Sequence, residues 1–211
     1  MPYFKNNKTN ILLIHIPKTG GTSVEEYLSK KCNIPLNNKS LFSFLNSDIA
    51  ETHNINIDSS LQHMTMNTIL KYKKIFNIKF KNLKIITIVR NPYDRIISDL
   101  FYFKLIKIDT SKEETTEIIK NYISSSNYDN HNIPQYLFIT NNQKKIFKNI
   151  IIMRTKTLTK NMHDLGFKDF NQHTNSNNKK INSGDYLNAD SINLINTYYH
   201  NDFKILGYKK K

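Results

Sequence analysis

Apolar residues along the chain fall into two kinds of run, and their spacing separates strands from helices. The segment Ile11-Leu12-Leu13-Ile14-His15-Ile16 is almost uninterrupted apolar and stops at Pro17. That is how a strand buried on both faces of a parallel sheet reads. Past Gly20-Gly21, the residues Val24, Tyr27, Leu28 and Cys32 recur at helical spacing, with Glu25 and Glu26 expected in the first turn. The unit is strand, loop, helix.

A second unit repeats the order. Residues 83–89 (Leu-Lys-Ile-Ile-Thr-Ile-Val) read as another buried strand, Asn91 is suited to cap a helix, and Pro92 suits its first position. Ile96, Ile97, Leu100, Phe101 and Leu105 then form an apolar helical stripe. A third strand is expected at 150–153. A closing helix is expected from about Asp190, burying Ile192, Ile195, Tyr198 and Tyr199 or Phe203. Strands alternating with helices predict an α/β fold with a central parallel sheet flanked by helices. No linker divides the chain, so residues 1–211 read as a single domain, with 209–211 a basic tail. The polar stretches 37–60, 124–132 and 172–185 are too long for simple connectors and predict site-shaping loops.

Composition changes this picture little. The formal charge of +14 suggests a polyanionic partner, but Lys, Asn and Ile are heavily used throughout, so the charge also fits a merely lysine-rich chain. A single cysteine, Cys32, excludes an intrachain disulfide. No run approaches the roughly 20 apolar residues of a membrane span, and 11–16 is too short for a signal core. A soluble, cytoplasmic protein is expected, either free-standing or a trimmed domain.

The candidate chemistry lies in the turns after the first two strands. Two of only five glycines are adjacent at Gly20-Gly21, where a strand meets a helix. Glycine lets the backbone take positive φ and lets a phosphate approach the amides, and the helix start offers unpaired N–H groups. Lys18 adds a charge, and Thr19, Thr22 and Ser23 add hydroxyls. This is an anion cradle. It is not a Walker A loop, since Lys18 precedes both glycines, nor a GxGxxG fingerprint.

The run His15-Ile16-Pro17-Lys18-Thr19-Gly20-Gly21-Thr22-Ser23 resembles the 5′-phosphosulfate loop of sulfotransferases that use 3′-phosphoadenosine 5′-phosphosulfate (PAPS). It is most similar to the carbohydrate-directed family 2 branch, which includes heparan sulfate 2-O- and chondroitin sulfotransferases. The resemblance implies a P-loop-like, nucleoside-kinase-like fold. It also implies that Lys18 stabilises the leaving phosphate of PAPS while Pro17 to Ser23 hold the 5′-phosphate. Val89-Arg90-Asn91-Pro92-Tyr93-Asp94-Arg95-Ile96-Ile97-Ser98 is similar to the family's 3′-phosphate motif, with Arg90 and Ser98 as the gripping pair. Arg95 is expected to pair locally with Asp94 or Asp99, outside the site.

A general base is needed for the acceptor hydroxyl. Resemblance favours His63, with His53 in reserve; His15, inside an apolar strand, is expected to be a buried, hydrogen-bonded residue. Asp129-Asn130-His131-Asn132-Ile133-Pro134-Gln135 resembles the family's D-x-H-x-x-P-Q segment, which shapes the acceptor cleft. His173-Thr174-Asn175-Ser176 and residues 198–208 resemble late family elements. The resemblance implies PAPS as co-substrate, PAP as product and a hydroxyl-bearing, carbohydrate acceptor, with no metal and no nucleic acid. A nucleotide kinase needing Mg²⁺ and a basic nucleic-acid-binding module are the alternative functions.

Overall fold

The computed structural model describes residues 2–36, 55, 57, 59–126, 128–171 and 181–211. Its sheet has four strands in the order β1-β2-β3-β4: Tyr3–Lys5, Asn10–Ile14, Lys84–Val89 and Ile150–Arg154. β2, β3 and β4 are parallel, with Leu12 opposite Ile85 and Ile86 opposite Ile151. β1 runs antiparallel to β2 and was not foreseen, because three residues carry too little pattern. Asn6 makes that hairpin: its side-chain oxygen accepts from Lys8 N (2.8 Å) and Thr9 N (2.7 Å). The sheet is thus mostly, not wholly, parallel.

Alternation along the strands sends residues to two cores. Leu12, Ile14, Ile85 and Val89 pack with Met66, Ile69, Phe138 and Ile139 on one face. On the other, Ile11, Leu13, Ile86 and Ile88 pack with Val24, Leu28, Leu158 and Met162. Both faces of β2 and β3 are covered, which explains their continuous apolar runs. β4 is an edge strand, and Ile151 stays 38% exposed.

The helices are α1 (Gly21–Cys32), α2 (Met66–Lys71), α3 (Pro92–Tyr102), α4 (Lys112–Ser124), α5 (Tyr136–Ile139), α6 (Leu158–Asp164), α7 (Ala189–Tyr198) and α8 (His200–Leu206). α3 begins as expected, with Asn91 Oδ1 accepting from Tyr93 N at 3.0 Å and Pro92 in the first turn. The expected closing helix is two, α7 opening on an Asn188–Ser191 capping box and α8 following at Tyr199. α3, α4, α7 and α8 share a third core built on Tyr93, Ile97, Leu100, Ile119, Tyr199 and Phe203. Glu25 and Glu26 lie beyond the first turn, because α1 starts only at Gly21. Among the described residues, no helix is long and apolar enough to cross a membrane.

One buried carboxylate pins the C-terminal helix to the segment before α5. Asp202, fully buried, accepts from Gln135 N (2.9 Å), Tyr136 N (2.8 Å) and Gln135 Nε2 (3.3 Å). Burial pushes its carboxyl up, against those hydrogen bonds. Asp202→Ala strands these donors, and urea denaturation should show a loss of about 2–4 kcal/mol.

Candidate active site

The cradle forms where β2 gives way to α1. Lys18 takes a left-handed backbone (φ 62°), as does Gly20 (φ 101°), which is the N-cap of α1. Such a conformation is costly for lysine and free for glycine. No side chain caps α1 at Gly20, and its first turn holds no carboxylate, so its amides and dipole suit an anion. Thr22 is exposed and Ser23 buried. Thr19 is fully buried, and its hydroxyl donates to Ile16 O at 2.8 Å. The Thr19 proton expected for a ligand is therefore spent inside the loop, leaving its backbone amide.

Two side chains hold the loop from neighbouring strand ends. Arg90, just past β3, donates from Nη1 to Lys18 O at 3.1 Å, which joins the two sequence motifs. Thr155, just past β4, donates to Thr19 O at 2.6 Å and Val89 O at 3.2 Å. Arg90 is held in turn by Gln135, whose Oε1 accepts from Arg90 N (2.9 Å) and whose Nε2 donates to Arg90 O (2.8 Å). Ser98 sits half-buried two turns into α3.

Arg95 departs from expectation. Only 2% exposed, it donates to backbone carbonyls rather than to a carboxylate: from Nε to Pro17 O (3.1 Å), from Nη1 to Ile133 O (2.9 Å) and from Nη2 to His131 O. Asp94 and Asp99 have other partners, Ser183 Oγ at 2.7 Å and His131 Nδ1 at 2.8 Å. The guanidinium thus ties the loop at Pro17 to the segment carrying His131.

Three histidines line up behind the cradle, ring edge to ring face. His15 and His63 have centroids 5.1 Å apart, and His63 and His131 4.9 Å. Each gives Nδ1 to a carboxylate: His15 to Glu25 (2.7 Å), His63 to Asp129 (2.7 Å) and His131 to Asp99. A carboxylate only accepts, so Nδ1 of His63 carries the hydrogen and Nε2 the lone pair. Burial brings His63 down to about 4; Asp129 pulls upward, and the His15 and His131 rings push further down. Burial opposes ionisation of Asp129, yet its hydrogen bonds from His63 and Ser60 hold its carboxyl below the usual range. His63 is therefore neutral at neutral pH, with its Nε2 lone pair held in a fixed orientation.

The row ends at Lys18. His131 stacks on Tyr102, centroids 5.3 Å apart at 9°, and Lys18 Nζ lies 4.3 Å from the Tyr102 centroid. Burial lowers the Lys18 pKa, Asp99 opposes this and Arg90 adds to it. His53 and His173–Ser176 lie outside the described residues. Asp129 and Gln135 were expected only as ends of a cleft-shaping segment, Arg95 and Asp99 only as a local pair, and Glu25 only in a first helical turn; Tyr102 carried no expectation. A signal did exist for three of them: Arg95, Ser98, Asp99 and Tyr102 follow an i, i+3, i+4, i+7 spacing that puts them on one face of α3.

His63, Asp129 and His131 offer ligand atoms within 4.8 Å of one another, the spacing at which a cation could be held. Both imidazoles already spend Nδ1 on a carboxylate.

The model of the Sulfotransferase family covers residues 1–209. No curated protein and no solved structure matches.

The histidine row dictates the second glycine of the loop. A Cβ on Gly21 would sit 2.4 Å from Cδ2 and 2.5 Å from Nε2 of His15, whose ring is held by Glu25 and abuts His63. Gly21→Ala should cost about 1–3 kcal/mol in chemical denaturation, and imidazole NMR signals of His15 and His63 should both shift.

Proposed function

The chain belongs to the sulfotransferase family, in its family 2 branch, and from that premise we propose that it transfers a sulfuryl group from PAPS to an acceptor hydroxyl on a carbohydrate. The observation that carries the reading is the bond from Arg90 Nη1 to Lys18 O. It sets a phosphate-binding cradle and a guanidinium side by side at the ends of adjacent parallel strands. Ligands of α/β sheets bind at such strand ends.

The residues divide the work as follows. Backbone amides from Thr19 to Ser23, at the start of α1, hold the 5′-phosphosulfate, with Thr22 and Ser23 adding polar groups. Arg90 and Ser98 take the 3′-phosphate, the guanidinium fork matching its oxygens. His63 Nε2 accepts the acceptor's proton as its oxygen attacks sulfur; the new S–O bond forms as the bond to the bridging oxygen breaks. Lys18 stabilises the negative charge that gathers on the departing PAP. Asp129 holds the His63 tautomer, and the P-loop-like arrangement of the three parallel strands sets the loop. No metal enters this scheme.

Two experiments test it. PAP in EDTA should raise the melting temperature, and Mg-ATP alone should not; stabilisation only by Mg-ATP would support a phosphotransferase instead. In the same preparation, Lys18→Ala should melt like the unaltered protein and lose roughly 10²–10³-fold in turnover of labelled PAPS; full activity removes Lys18 from the mechanism.

The pH profile tests the base. His63 works only when neutral, and with its pKa near 4 it is neutral well below the ordinary histidine range. Turnover should hold through pH 6 and fall only as pH approaches 4. His63→Ala should lose roughly 10²–10⁴-fold. An acid limb centred at pH 6.5 would point to a different base.

A further inference from the structure

We propose that Tyr102 is a positioning residue for Lys18, its ring holding the lysine ammonium beside the histidine row; this rests on the role given to Lys18 above. Tyr102 is 56% exposed, so burial of its ring does not explain its place. Its ring lies against Lys18, His131 and Phe103. It stands one helical turn past Ser98 and Asp99 on α3, the helix whose Asp99 fixes His131. One ring therefore meets both the donor-side cation and the acceptor-side segment.

The chemistry favours an aromatic partner here. A four-carbon side chain samples many rotamers even when half-buried, as Lys18 is, and something must hold its ammonium in register. A carboxylate would hold it but would also neutralise the charge that the leaving phosphate requires. The nearby carboxylate, Asp99, is 1% exposed and already bonded to His131. A ring face attracts the cation through its quadrupole and leaves the formal charge intact. The charged and titratable groups around Lys18 are Asp99 from α3, Arg90 from the end of β3, and His131 across the ring. Removing the ring withdraws one stabiliser of the ammonium and leaves Asp99 alone to oppose burial and Arg90, which favour loss of its proton.

The test uses release of PAP from PAPS with water as acceptor, together with calorimetric binding of PAP, in Tyr102→Phe, Tyr102→Leu and Tyr102→Ala. Phe should keep kcat within about twofold. Leu and Ala should lower kcat roughly tenfold, leave the KM for PAPS within about threefold, and move the alkaline limb of kcat to lower pH. Melting temperatures should be unchanged in all three. In a Lys18→Ala background, Tyr102→Ala should cost nothing more, since the ring acts through the lysine. Leu matching the parent, Phe failing like Ala, or losses that add to those of Lys18→Ala would each overturn the proposal. A parent protein that binds no PAP overturns the donor reading beneath it; PAP binding with additive losses overturns the Tyr102 role alone.

Discussion

A buried guanidinium holds the site together. Taking a charge out of water is expensive unless its donors are matched, and Arg95 matches its own with the carbonyls of Pro17, His131 and Ile133. Those carbonyls come from two segments more than a hundred residues apart in sequence. One carries the cradle, the other the histidine at the end of the row. A neutral amide has two N–H donors and would leave one of these three carbonyls without its partner. One planar group thus joins the Pro17 loop to the segment that carries His131.

α3 is where these constraints meet. Its apolar side packs Ile96, Ile97 and Leu100 into the third core, which fixes the helix rotation. With rotation fixed, Arg95, Ser98, Asp99 and Tyr102 share the opposite stripe. They reach the loop, the proposed 3′-phosphate position, His131 and Lys18 respectively. Gln135 and Asp202 extend the bracing to the C-terminal helix, so Arg90 is held by residues far along the chain. Packing of a remote helix is in this way coupled to a group at the strand ends.

The strands of the parallel sheet, the α3 cap and the cradle were legible because each leaves a local signature: an apolar run, Asn-Pro, a Gly-Gly pair after a strand. β1 was too short to show, and α7 and α8 read as one helix because the apolar stripe continues across Tyr199. Tertiary partners were the hard part. Asp94 and Asp99 flank Arg95 in sequence and invite a local pair, yet α3 turns Arg95 inward towards carbonyls that no periodicity reveals. His15 was read correctly as a buried, hydrogen-bonded histidine. That it would begin a row of three was not visible, because the rings come from three separate segments. The Thr19 hydroxyl was hidden for a different, local reason: it turns back to Ile16 O within the loop itself, a bond that residue type alone does not reveal.

Lys18 sits at a backbone angle (φ 62°) that would suit glycine or asparagine better. Chain conformation and chemistry ask for different residues there, and the conflict is settled in favour of the ammonium. Arg90 on the Lys18 carbonyl and Thr155 on the next one hold the peptide against relaxing. Substitutions chosen purely for thermal robustness would drift this position away from lysine and, on the role proposed for Lys18, erase activity while the protein grew sturdier. Position 18 is where a search for stability and a search for catalysis part company.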